Sequence, residues 1–196
     1  MATTFVEAVF AVFLVPAFLL AKDLTAPVFI DPTIQSYDGL FSQKLSVKYF
    51  VDEVADNRPN APTDTLGMTR TGRSTSAPLV TRLGPSVLLR NSIQGMFRDM
   101  SVLADERIDA TFAVQAEVLL FEITETNKGF LQEIKAALGY KVKIRRLADN
   151  EVVRQFIITS EDTRKALDTT KFAETVASNA LMNGLIRLMQ DLSSLK

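Results

Sequence analysis

The sequence predicts an α+β domain, in which two helices pack on one face of a four-stranded, largely antiparallel sheet. The element order is β-α-β-β-β-α, preceded by an N-terminal apolar helix. Three observations carry this expectation. From Glu133 to Arg146, Ile134, Ala136, Leu138, Tyr140, Val142 and Ile144 alternate with outward residues that include Lys135, Lys141, Lys143 and Arg145, the period-two pattern of a half-buried strand. Apolar residues recur at helical spacing from Leu89 to Met100 and from Val176 to Leu195. Near the start, VFAVFLVPAFLLA runs apolar from Val9 to Ala21 and stops at Lys22.

That N-terminal run of roughly 13–15 residues fits a signal-peptide apolar region better than the roughly 20 residues of a membrane span. No Lys or Arg precedes it, and Glu7 carries the wrong sign for a secretory n-region. Ala21 suits a cleavage site, whereas Leu19 is larger than the usual pattern accepts. LLA would suit a lipobox, but the next residue is Lys22, which has no thiol to acylate. Residues 1–22 are therefore read as a signal peptide or membrane anchor, against a buried element of the domain. Residues 23–44, with Pro27, Pro32 and Gly39 and little periodicity, read as an extended tether. Residues 45–196 read as the domain.

The domain opens with LSVKYFV, whose Leu45, Val47, Tyr49 and Val51 share one face. A long polar loop follows, from Asp52 to Pro78, and loops of such length inside a domain are often functional. Pro85 starts a helix, since its fixed φ suits the first turn. Ala110–Ile123 reads as a central strand, apolar on one face and then on both. TETNKG turns the chain into the Glu133–Arg146 strand, and ADNE turns it into VVRQFIITS, so these last two should form a hairpin. Asp168 or Thr169 caps the final helix, which runs to about Ser193.

Composition narrows the chemistry. The chain has 47% hydrophobic and 23% charged residues, a net charge of -1, and neither histidine nor cysteine. This excludes His-based triads, thiol nucleophiles, thiolate metal sites and disulfides within the chain. The near-neutral charge gives no overall pull towards nucleic acid. A carboxylate-only metal site or an Asp/Glu acid–base pair stays open, but no cofactor or metal is implied.

Candidate contact residues lie in the loop and on one strand. Asp56, Arg58, Gly67, Arg70 and Arg73 form the loop set. A phosphate-binding reading of it lacks the P-loop order of glycines and lysine, so a solvated or partner-binding loop is the simpler account. Arg58, charged and with no core role, should be replaceable by alanine with little loss of folding but with weaker partner binding. Lys141, Lys143 and Arg145, with Lys135 and Arg146, make one basic sheet face. Such lysines also discourage edge pairing, and no aromatic residues interleave with them for base stacking. Glu117, Glu122, Glu125 and Glu133 flank one hairpin. A coupled Glu122–Glu133 pair would serve a hydrolase, but salt bridges to the lysine row explain these carboxylates more simply.

The sequence SVKYFVDEV, followed by DNRP and LGMTRTG, resembles the opening of YajG-type bacterial envelope lipoproteins. That family places an aspartate-x-arginine element after its first strand and then a hydrophobic-glycine step, here Asp56, Arg58, Leu66 and Gly67. The resemblance extends to LIRLMQDL near the end and covers about Leu45 to Leu195. LptE-like proteins and auxiliary lipoproteins of ABC-type transporters share the element order. Lys22 departs from the pattern at the acylation site, and an uncleaved N-terminal segment would then replace the lipid anchor.

The resemblance implies a non-catalytic, periplasmic, membrane-associated accessory or structural component of a cell-envelope assembly, transport-related or structural. Its partners would be an envelope protein complex, such as a transporter or outer-membrane component, and the membrane through the N-terminal segment, with homo-oligomerisation left open. The alternative is a periplasmic carrier that holds a lipid or other amphiphile between helices and sheet.

Overall fold

The computed structural model describes residues 26–34, 37, 45, 47–59, 62–70, 75–167 and 169–193. Its strands are β1 (Val28–Phe29), β2 (Tyr49–Asp56), β3 (Thr65–Arg70), β4 (Ser76–Val80), β5 (Phe112–Lys128), β6 (Leu131–Arg146) and β7 (Val152–Ala166). Its helices are α1 (Pro85–Asp99) and α2 (Ala173–Ser193). All strands join one sheet in the order β1-β4-β3-β5-β6-β7, with β2 also on β5.

The expected four-stranded sheet is overturned: among the described residues the sheet has seven strands and is mixed, with β2 and β3 parallel to β5 and β1 parallel to β4. The missing strands lie in stretches read as irregular. β3 and β4 form a hairpin inside the supposed polar loop, and β1 lies within the segment read as a tether. Short strands containing Gly67 and Pro78 show no clean alternation, and they persist because neighbouring strands supply their backbone partners. The expected N-terminal apolar helix falls on residues outside those described.

β5, β6 and β7 run 17, 16 and 15 residues, longer than their apolar patterns suggest. TETNK belongs to β5, because ladder hydrogen bonds continue where side chains no longer reach the core. An extra residue at the β-bulge between Val118 and Leu120 shifts the parity of β5. Val114, Ala116 and Val118 face the core before it, and Phe121 and Ile123 after it.

Both helices cover the same face. Tyr49 of β2 stacks on Phe97 of α1 at 5.0 Å between centroids. α2 lies close on β6 and β7: Tyr140 donates its hydroxyl to the Gly184 carbonyl at 2.9 Å, and Ser160 to that of Ala180 at 2.7 Å. Burial, with a smaller effect from Asp191, pushes the Tyr140 phenol far above its ordinary range. A Cβ at position 184 would stand 3.1 Å from Ser160 Oγ and from Tyr140 Cε1. Gly184→Ala is therefore expected to overpack this contact and lower stability by about 1–3 kcal/mol, read by urea unfolding.

Candidate functional site

β5 changes its edge partner halfway along. β2 pairs with it up to Asp56 opposite Val118, and β3 takes over with Gly67 opposite Ile123. Arg58 fills the interval. Its guanidinium grips Asp56 with two bonds, Nε to Oδ1 and Nη2 to Oδ2, both 2.9 Å. Nη1 donates to the carbonyls of Thr65 at 2.8 Å and Phe121 at 3.2 Å, and Nη2 to that of Pro62 at 3.0 Å. All five donors of the planar fork are engaged, on three separate segments.

The Arg58 side chain is only 4% exposed. This geometry reverses the expectation that alanine at 58 leaves folding intact: Arg58 supplies donors where no strand does. Gly67 belongs to the same junction, at φ 153°, and an added Cβ would stand 2.0 Å from the Ile123 carbonyl oxygen. The aspartate-x-arginine and hydrophobic-glycine elements thus converge on one clasp. Beside it lies a surface cleft of about 340 Å³, lined by Pro59, Pro62, Leu66 and Leu119 among others. Arg70 ends β3, its backbone opposite Ser76. Arg73 lies outside the described residues.

The lysine row stands on the face that the helices leave open. There Lys143 meets Glu117 at 2.8 Å, Lys135 pairs with Glu161, and Lys141 stands directly opposite Glu117. Arg145 donates to the Asn150 carbonyl at 2.8 Å, and Arg146 pairs with Asp149 at 2.8 Å. The face is a lattice of both signs, and the Lys143–Glu117 pair is the kind of salt bridge to the lysine row that the sequence led one to expect. Two apolar side chains the sequence reading did not single out lie within it, Leu120 (42% exposed) and Ile157 (65%). An apolar residue at an outward position of β7 was the available signal.

The hydrogen bond from Lys143 holds the Glu117 carboxyl below its ordinary 4.5, against some desolvation. A depressed folded-state pKa stabilises the fold above the unfolded value, and that contribution is lost as pH falls through the folded pKa. Lys143→Met should bring Glu117 back towards 4.5. A side-chain carboxyl NMR titration checks this, and an unchanged midpoint would rule out the hydrogen bond as the cause.

Glu122 and Glu133 are not brought together. Glu122 stands opposite Ala137 and Glu133 opposite Thr126, four residues or about 13 Å apart along the ladder. Glu133 lies instead between Lys128 and Lys165, at 3.9 and 3.5 Å. The described residues contain no group of three acidic side chains placed to hold a metal, and no helix among them is long and apolar enough to cross a membrane.

No family model matches the chain, and no curated protein does. Among solved structures, a DUF330-family protein from Xanthomonas campestris is similar, with a TM-score of 0.53 at 16% identity, over 87% of this chain and 98% of that one. A minor lipoprotein from Acinetobacter baumannii gives 0.42 at 12% identity, over 76% and 95% of the two chains. The PelC dodecamer from Paraburkholderia phytofirmans gives 0.36 at 12%, over 82% and 92%. The likeness to the DUF330 protein shows the fold alone.

Proposed function

We propose that this chain is a non-catalytic accessory or structural component of a bacterial cell-envelope assembly, transport-related or structural. Its N-terminal segment holds it at the membrane, and the open face of β5, β6 and β7 meets the partner. That face carries the reading. Among the described residues, three long strands carry no covering layer on this sheet surface, with Leu120 and Ile157 exposed among paired charges. A surface with apolar residues at its centre and polar groups around them is suited to docking another protein.

The apolar run before Lys22 and the resemblance to YajG-type lipoproteins support an envelope location. Arg58 is engaged within the fold, and the proposed contact surface is the sheet face with Lys141, Lys143 and Arg145. The close seating of α2 on Tyr140 and Ser160 counts against a carrier holding a ligand between that helix and the sheet.

The test is a mild-detergent pull-down of the full chain from its own membranes, with intact mass read on the same sample. A stoichiometric membrane partner with an uncleaved chain supports the proposal. A chain that emerges alone, cleaved and soluble, with lipid bound, would favour the carrier.

A further inference from the structure

One end of the sheet concentrates exposed apolar side chains. The β5–β6 turn carries Phe130, 99% exposed, β6 opens on the half-exposed Leu131, and Leu167, 78% exposed, follows the end of β7. Lys128 stands opposite Leu131, and Gln132 opposite Ala166, so the same register brings Leu167 to the row of Leu131. Thr169 donates its hydroxyl to Gln132 Oε1 at 3.2 Å, which ties the β7–α2 connection to this end. Three large apolar groups therefore project from one tip, which costs free energy in water unless something covers them.

The surroundings are weighted towards cations. Lys128 and Lys165 flank Glu133, Arg164 pairs with Asp162 at 3.8 Å, and Lys171 lies 5.5 Å over the Phe172 ring. Among the described residues, these four cations stand against Glu133, Asp162 and Glu125, the last opposite Ile134 in the row of Arg164. Apolar side chains at a tip, with long lysine stems beside them, match the pattern of interfacial anchors: the rings and chains enter the acyl boundary while the ammonium groups reach the phosphates.

Strand direction supplies a second, independent observation. β5 runs towards the tip; β3 is parallel to β5, β4 antiparallel to β3, and β1 parallel to β4. β1 therefore runs away from the tip, and the chain enters it from the tip side. In sequence, the apolar run Val9–Ala21 precedes that entry. From the row of Ile123, level with Val28, to Lys128 is five residues of β5, about 17 Å. The six residues between Ala21 and Val28 are enough to cover that offset along the strand direction.

We infer that this tip is a membrane contact, inserting Phe130, Leu131 and Leu167 into the interface of a bilayer containing anionic phospholipid. The contact lies at the far end of these strands, beyond the Leu120–Ile157 part of the partner face, and does not depend on which protein docks there.

The chain contains no tryptophan, so Phe130→Trp gives a single probe at a fully exposed position. The full-length variant is reconstituted into phosphatidylethanolamine–phosphatidylglycerol vesicles, with and without brominated acyl chains. Ile157→Trp, ten residues or about 33 Å from Leu167 along β7, is the control. The expected result is blue-shifted emission from position 130 that loses most of its intensity to the brominated lipid, with position 157 unquenched. Water-like, unquenched emission from position 130 would overturn the inference. So would a blue shift without quenching, because a second copy or another protein would then be covering the tip.

Discussion

Arg58→Ala is expected to lower stability by about 3–5 kcal/mol, a large fraction of the total for a domain of this size. The loss has two sources. The Asp56 carboxylate, largely buried beside Arg58, would lose both of its charge-assisted bonds. The carbonyls of Thr65 and Phe121 would lose donors in the interval where the edge of β5 away from β6 passes from β2 to β3. Arg58→Lys should recover little, because an ammonium cannot reproduce a fork that bonds in one plane to three segments. Urea unfolding of the three proteins measures this. A loss within about 0.5 kcal/mol, the range of ordinary surface substitutions, would return Arg58 to the solvent-facing role its sequence suggests.

Gly67→Ala acts on the other half of the same junction, with an expected loss of about 3–5 kcal/mol from backbone strain and overpacking together. The clash is with a backbone oxygen, Ile123 O at 2.0 Å, so no side chain can turn aside to relieve it. The positive φ adds a conformational penalty at any residue with a Cβ. Since Gly67–Ile123 is the registered contact between β3 and β5, the β3–β4 hairpin should detach before the rest of the sheet. Amide exchange would then accelerate in Thr65–Arg70 and Ser76–Val80 while β6 stays protected. The double variant Arg58→Ala/Gly67→Ala should cost less than the sum of the two, because each releases the same hairpin.

Part of this structure was legible in the sequence. The strict alternation of β6 gave its faces directly, and Pro85 with the Leu89–Met100 stripe gave α1. β3 and β4 were not legible, because Gly67 and Pro78 suit the positions they occupy for reasons that lie in other strands. Gly67 is needed by Ile123, 56 residues later, and Arg58 bonds to Phe121, 63 residues later. A charged residue among prolines reads as solvated until the topology reveals carbonyls without donors. The lysine row and its salt bridges to the flanking carboxylates were visible, but which lysine meets Glu117, and that Glu161 takes part, depends on register and on a bulge that no pattern announces. The apolar tip was hidden for a related reason: a phenylalanine next to glycine in a polar turn is a local detail until strand directions place it beside Leu167 and the chain entry.

The central claim, that the open face of β5–β7 is where a partner docks, is tested most directly by photo-crosslinking in the protein's own membranes. A photoreactive residue at Ile157 samples that face, and one at Gln190, exposed on α2, samples the opposite layer. The expected result is one dominant envelope protein captured from position 157 and none from position 190. Capture from position 190 alone, or from neither, would contradict it.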